Sequence, residues 1–476
     1  MDRANPPGVG RPGCAAGVEE CLVMPPAARA SRWHRVRRSE TSRTDLWIWP
    51  SCAGVAGLVA GLTLGQVRPD PGTTLSRLAW PGDVDAASSL LQTVATSAIT
   101  ATTLTFTLTV VALQLASQQF SPRLLRNFMH DRVTKVVLSV LVATFLFAVT
   151  VLRGLRSDAP VPSLAMLVAS VLAVGALGAV LGFITHITRL LRVDTMMREV
   201  HDEAEKAIAI FYPHYGDPAP RSPRELQVDE SAGTTVAAAS SGFVRLIDVD
   251  RLIGAAAVAD AIARVEVRPG DHVVRGTPVA TLWGRSTGSD LRTLEAEVHA
   301  CLHLAYERTI EQDAAFGFRQ LTDIAVKALS PGINDPVTAA HCIGHMADLL
   351  VLLTGRRLGP TLHEDEHGTG RAVVPDRDFR YYLDLVCGQI RRYGDREPTV
   401  LVALLRMLRD VAVAVRDPGQ RAEVSRQVDL IVQEMPPSLP ATDADSVRDL
   451  ARRVAAALAG DTAAAYGDRA GETRSI

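Results

Sequence analysis

The sequence predicts an α-helical membrane protein: four transmembrane helices followed by a cytoplasmic α+β part, mostly helical with a small β module. Three observations carry that class. Ser88 to Ser117 contains no Asp, Glu, Lys or Arg, and this run exceeds the roughly 20 residues a helix needs to cross the hydrocarbon core. Three further apolar runs stand near it, and Lys and Arg collect on alternate connections between them. Finally, 47% of residues are hydrophobic and the mean hydropathy is +0.13, high for a soluble chain and modest for one wholly inside a membrane.

Residues 1–44 are rich in Pro, Gly, Ala and Arg, with no apolar run long enough for a signal peptide core. They read as a disordered basic extension or an overcalled start. Residues 45–188 form the transmembrane domain, with spans at about 46–67, 88–117, 136–152 and 164–187. Arg32, Arg35, Arg37, Arg38 and Arg43 precede the first span; Arg123, Arg126, Arg132 and Lys135 follow the second; Arg189, Arg192 and Arg198 follow the fourth. The other connections hold only Arg68, Arg77, Arg153 and Arg156. The positive-inside rule therefore sets both termini in the cytoplasm.

Apart from the Cys52 thiol, the only ionisable side chain in the four spans is His186. Pumps and proton-coupled transporters usually carry acidic or basic groups at this depth, so active transport is disfavoured. Within the second span Ser89, Thr93, Thr96, Thr100, Thr103, Thr107 and Gln114 recur at steps of three, four or seven, one helical face. Such a face serves helix–helix contact, or it lines a water-filled path in a homo-oligomer, because hydroxyl oxygens replace part of an ion's hydration shell.

Residues 189–234 read as a juxtamembrane helix and linker. Residues 235–284 read as the β-containing module, with a helix around Val249 to Ala263 and strands about Pro269-Gly270-Asp271. Its V-R-P-G-D-H-V-V-R-G-T-P-V-A stretch resembles half of a biotinyl or lipoyl-type barrel. Those carriers attach their cofactor to a hairpin lysine, and the chain has lysine only at Lys135, Lys206 and Lys327. A swinging-arm role is excluded, and no cofactor is expected.

Residues 285–459 read as a cytoplasmic helical domain and residues 460–476 as a disordered tail. One helix is expected through Leu294, Val298, Leu302, Ile310, Phe318 and Leu329, then a Pro331-Gly332 turn and a second helix capped by Asn334 or Asp335 with Pro336 at its first position. Asp313, Arg319, Asp323, Lys327, Ser330, Asn334, Asp335 and Thr338 are the densest polar grouping. They form a surface ladder with a cap, or a ligand or interface site at the second helix's N-terminus. A loop follows at 356–376, then helices at 379–392, 399–415, 421–433 and 443–458.

The stretch Ala328-Leu329-Ser330-Pro331-Gly332-Ile333-Asn334-Asp335-Pro336-Val337-Thr338-Ala339-Ala340, with Ser117-Gln118-Gln119-Phe120-Ser121-Pro122-Arg123-Leu124-Leu125 before it, resembles the DUF2254 family of bacterial inner-membrane proteins. The likeness covers roughly residues 45–440. It implies architecture and membrane location, and no activity.

Three histidine pairs stand at i,i+4: His299 and His303, His341 and His345, His363 and His367. On a helix that spacing offers two metal ligands, but no H-E-x-x-H and no cysteine at ligand spacing accompanies them. The six cysteines form no framework and are expected as free thiols. With 50 basic against 52 acidic residues there is no field for nucleic acid. No P-loop, dinucleotide fingerprint or G-x-S-x-G elbow occurs, which disfavours an enzyme. The reading is a passive channel-like membrane component regulated by its cytoplasmic part; the alternative is a membrane-anchored scaffold or sensor. The expected partners are the lipid bilayer and further copies of the chain.

Overall fold

The computed structural model describes residues 47–67, 83–119, 131–156, 159–190, 192–217, 222–226, 228–284 and 288–467. The expected N-terminal extension, the connection bearing Arg77, the Phe120 to Leu125 part of the family motif and residues 468–476 lie outside them.

Four long helices come first: α1 (Ile48–Gln66), α2 (Val84–Gln119), α3 (Arg132–Gly154) and α4 (Ser163–Leu190). Small residues set the α1–α3 contact: a Cβ on Gly57 would stand 2.5 Å from the Ala143 carbonyl oxygen, and one on Gly61 would stand 2.9 Å from Thr150 Cβ. Close backbone approach of this kind is how helices associate in lipid. Asp131 starts α3, accepting hydrogen bonds from Thr134 N (2.8 Å) and Thr134 Oγ1 (2.6 Å). Lys135, expected in the preceding connection, is instead buried in this first turn. Leu91, Val94, Phe147, Val151, Met166 and Ala169 knit α2, α3 and α4 together at one end, and Ala112, Leu141, Phe183 and Ile187 at the other. Large apolar side chains also face outward, including Val59 on α1, Phe106 on α2 and Val171, Val174 and Leu181 on α4.

The remaining helices are α5 (Val193–Phe211), α6 (Val249–Val258), α7 (Gly288–Cys301), α8 (Ala314–Ala328), α9 (Pro336–Thr354), α10 (Phe379–Tyr393), α11 (Pro398–Ala414), α12 (Pro418–Gln433), α13 (Ala441–Leu458) and α14 (Thr462–Ala465). Five helices of the described residues are long and apolar enough to cross a membrane: α1 to α4 and α9. They differ in surroundings. Cys342, Ile343, Met346, Leu349, Leu350 and Leu353 of α9 are enclosed in the largest core, among α5, α8, α10 and α11.

Among the described residues there are eight strands: β1 (Thr234–Ala237), β2 (Gly242–Ile247), β3 (Ala261–Val265), β4 (His272–Val273), β5 (Pro278–Gly284), β6 (Leu302–Ala305), β7 (Thr361–Glu364) and β8 (Gly370–Val374). They form one sheet of order β1-β5-β3-β8-β7 and another of order β4-β2-β6. All pairs are antiparallel except β3 with β8.

Three sequence expectations change here. The helix expected to reach Ala263 stops at Val258, where Asp260 takes φ +46°, and Ala261, Ala263 and Val265 then bury one strand face. The single helix expected through Leu329 is two: α7 ends at Cys301, β6 pairs with β2, and α8 begins after Asp313. The loop at 356–376 is a hairpin whose β8 joins the sheet, so the β module draws strands from well beyond residue 284. Residues 461–467, expected within the tail, pack onto the helical core: Ala465 is buried and the Tyr466 hydroxyl donates to Asp410 Oδ1 at 2.6 Å.

Candidate functional site

The hydroxyl-bearing face of α2 turns away from its own bundle. Leu91, Val94, Ala95, Ala98, Thr105 and Ala112 are buried against α3 and α4, whereas Thr93, Thr96, Thr100, Thr103, Thr107 and Gln114 are exposed. The hydroxyls of Thr93, Thr100, Thr103 and Thr107 donate to the carbonyl four residues back at 2.8, 2.8, 3.0 and 2.9 Å. Each proton is satisfied within the helix, which leaves the oxygen lone pairs facing out as acceptors. A polar acceptor surface thus runs along a helix that also turns Gln92 and Ser97 outward, beside the apolar Ile99, Leu104 and Phe106.

The turn between α8 and α9 is built from its own polar groups. Arg319 and Asp323 pair at 3.1 Å on α8. Ser330 Oγ donates to the Lys327 carbonyl at 2.7 Å, Asn334 adopts φ +50°, and the Asp335 N–H donates to the Ala328 carbonyl at 2.8 Å. The Asp335 carboxylate accepts from Thr338 Oγ1 (2.6 Å) and Thr338 N (3.0 Å), and these two bonds hold its pKa below the ordinary value. Lys327 and Asn334 stay at the surface. Of the expected grouping, Lys327, Ser330, Asn334, Asp335 and Thr338 make one turn with Asp335 as the N-cap, while Arg319 and Asp323 pair earlier on α8 and Asp313 stands before it.

Of the three histidine pairs, only His341 and His345 fall on one helix, where the i,i+4 spacing puts them on one face. His299 on α7 bonds the Ala237 carbonyl at 2.8 Å, while His303 sits on β6 opposite Leu246. His341 and His345 both lie on α9, and the His345 ring is 5.2 Å from that of His201 on α5, which pairs with Asp348 at 3.2 Å. Among the described residues, no group of three or more His, Cys, Asp or Glu is placed to hold a metal ion.

Sequence reasoning named Asp313 but missed the buried ionic cluster it centres. Asp313, fully buried before α8, receives Arg308 Nε at 2.6 Å and faces an Arg377 Nη at 3.2 Å. Arg377, 3% exposed, also donates to the Pro269 carbonyl at 2.8 Å and faces Asp271 at 3.7 Å. Burial works against the Arg377 charge, yet Asp313 beside it raises its pKa above the usual guanidinium value. Burial pushes the neighbouring Asp376 carboxyl up to about 6, even though it accepts the Arg377 N–H at 2.7 Å. The Pro269-Gly270-Asp271 turn closes onto this cluster: Gly270 has φ +88°, and a Cβ there would overlap Asp313 Oδ2. Alongside it, Arg245 makes a bidentate pair with Glu311 at 2.6 and 2.9 Å, and the Gln312 carboxamide oxygen accepts the Ile247 N–H at 2.7 Å. The Arg308 to Asp313 segment thus fastens the β module to the helical core. Tyr212 and Tyr382, both fully buried, share a 2.7 Å hydroxyl contact in that core.

With this geometry in view, the chain was compared with known proteins. A family model described as "Predicted membrane protein (DUF2254)" matches residues 43–410. The chain belongs to the DUF2254 family. Uncharacterized proteins of Mycobacterium bovis and Mycobacterium tuberculosis are each 32% identical to it over 448 residues, covering 89% of this chain and 84% of the relative. No solved structure matches the chain.

The DUF2254 match takes in α1 to α4, both sheets and the helical core as far as α11. The Asp313–Arg377 cluster left one faint mark in the sequence: Asp376-Arg377-Asp378 in a stretch that reads as a solvated loop. Its partners come from positions 271, 308 and 313, and no local period links those.

Proposed function

We propose that this DUF2254 protein is a homo-oligomeric component of the bacterial inner membrane, with four spans, both termini in the cytoplasm, and a passive ion path lined by the hydroxylated faces of α2 from neighbouring copies. The cytoplasmic sheets and helices regulate it. One observation supports the path most directly: Thr93, Thr96, Thr100, Thr103, Thr107 and Gln114 are all exposed on the side of α2 away from α3 and α4. A partner helix, not its own bundle, is what that face fits.

Two features support the threading. Basic residues collect on the connections assigned to the cytoplasm. Beyond Val337 in its first turn, the large apolar residues of α9 pack against protein on α5, α8 and α11, so this fifth apolar helix has no need to span lipid. A membrane segment nearly free of ionisable groups suits passive conduction rather than coupled transport.

The test is ion flux through the purified chain in liposomes, comparing the natural sequence with Thr100→Leu and Thr103→Leu. Both positions are exposed, so the bundle tolerates the change. Flux that falls in both variants at unchanged oligomer size is the expected result. Absence of flux over a range of salts, voltages and tension overturns the channel reading and leaves the α2 face as a helix-contact surface of a membrane-anchored scaffold.

A further inference from the structure

We infer that the turn Ser330 to Asp335, with Ile333 and Val337 at its tip, is a membrane-surface contact that rests on the lipid headgroup layer beside the end of α4. The inference does not depend on whether α2 lines a path. It starts from the register between α5 and α9. Met197 Sδ lies 3.2 Å from Cys342 Sγ, His201 lies 3.2 Å from Asp348, and Arg356 donates to the Tyr212 carbonyl at 2.9 Å. The two helices therefore run parallel at an offset of about 145 residues. Pro336, the first residue of α9, is thus level with Arg192 at the joint between α4 and α5.

That joint is at the membrane surface. At 28 residues α4 is about 42 Å long, enough to cross the hydrocarbon core and both headgroup layers. Leu190, its last residue, packs both against the membrane-helix cluster of Phe183 and Ile187 and against the core that holds Val200, Leu329 and Ala340. The soluble core and the bilayer end of α4 meet at one side chain. The α8–α9 turn stands at the same level.

The chemistry of the tip fits lipid. Pro331, Gly332, Ile333 and Val337 are exposed, the last two at 45% and 44%. The backbone bonds and the Asp335 cap described above hold them in a fixed shape, so their burial costs little ordering entropy. Arg189, Arg192 and Lys327 are exposed at the same end, against Asp194 and the capping Asp335. Basic residues close to a membrane surface contribute about 1 kcal/mol each against anionic headgroups. Apolar tip and basic rim together match an anionic lipid surface.

The test uses the full chain in vesicles of phosphatidylcholine and phosphatidylglycerol, with Cys14, Cys21 and Cys52 replaced by Ser and a nitroxide on Ile333→Cys. A nitroxide on Val258→Cys, 92% exposed on α6, is the reference. Collision with oxygen, which concentrates in lipid, is compared with collision with a water-soluble nickel chelate. A several-fold higher oxygen-to-nickel ratio at 333 than at 258 is expected. Equal ratios show a tip in water and overturn the proposal. Weak collision with both probes at 333 shows a tip covered by protein and overturns it as well.

Discussion

Replacing Asp313 by Ala removes the acceptor on which the joint between β module and helical core converges. Asp313 is fully buried, and its two partners respond differently. Arg308 is 22% exposed in its side chain and can turn to water; Arg377 is 3% exposed and cannot. Arg377 keeps the Pro269 carbonyl at 2.8 Å and Asp271 at 3.7 Å, so its charge loses its closest carboxylate without losing every acceptor. Leaving one member of a buried pair uncompensated costs about 3–5 kcal/mol. The assay is urea unfolding of the purified chain in detergent, followed by the fluorescence of Trp283 on β5, with the other tryptophans replaced by Phe. Trp283 reports on the module because its indole N–H donates to the Asp229 carbonyl at 2.9 Å. Arg377→Met alone should also destabilise, while the double variant should lose less than the sum, with a coupling of about 2 kcal/mol or more. A loss under about 1 kcal/mol for Asp313→Ala, or strict additivity, would refute the reasoning.

Three further outcomes follow from particular contacts. Gly57→Leu should drive α1 off α3 and lower the unfolding temperature in detergent, at a cost of about 1–3 kcal/mol for overpacking, whereas Gly65→Leu, with nothing within 4 Å of its Cβ, should not. Asp335→Ala removes the cap on α9 and should cost about 0.5–2 kcal/mol by the same unfolding measurement. Asp376 binds its proton more tightly when folded, with a pKa of about 6 against 3.8, so its contribution is fully present below 3.8 and is lost as pH rises to about 6. The natural chain should therefore shed at most about 3 kcal/mol over that window. Asp376→Asn should remove this slope and be the more stable of the two at pH 7.5, read from urea midpoints across the pH range.

The parts of the fold legible in the sequence are those governed by local rules. Apolar length marked α1 to α4, and helical periodicity with proline breakers marked α10 to α13 to within a few residues. The α9 cap was legible because Asp335 and Pro336 do their work within one turn. What failed was non-local. Leu302 to Ala305 continues the helical apolar spacing of α7, yet pairing with β2 overrides it. The hairpin at 361–374 reads as polar loop because Asp365, His367, Gly368 and Thr369 form its turn, and its β8 finds parallel β3 a hundred residues back. The outward aspect of the α2 hydroxyls was half legible: spacing gave the face, and only packing gave its direction. His299 and His303 show the opposite hazard, since a spacing that suits a helix means nothing when a strand begins between the two.

The helix α5 joins the features that matter for regulation. Its first turn sits at the α4 joint beside the α8–α9 turn, and the chain just beyond its last turn carries Tyr212, bonded to Tyr382 and to Arg356 in the core beside the Asp313–Arg377 cluster. Its 19 residues cover about 28 Å. Between the two ends it is held at backbone distance, because Gly317 of α8 leaves room for Ala204 and a Cβ on that glycine would come within 2.6 Å of the Ala204 Cβ. A helix pinned along its length cannot bend to absorb a displacement; it moves as a unit with α8 and α9. A change at the Asp313–Arg377 cluster that shifts this unit is therefore carried to the first turn of α5, beside the end of α4. The regulation proposed above calls for a stiff path of this kind, and α5 is the element that fits it.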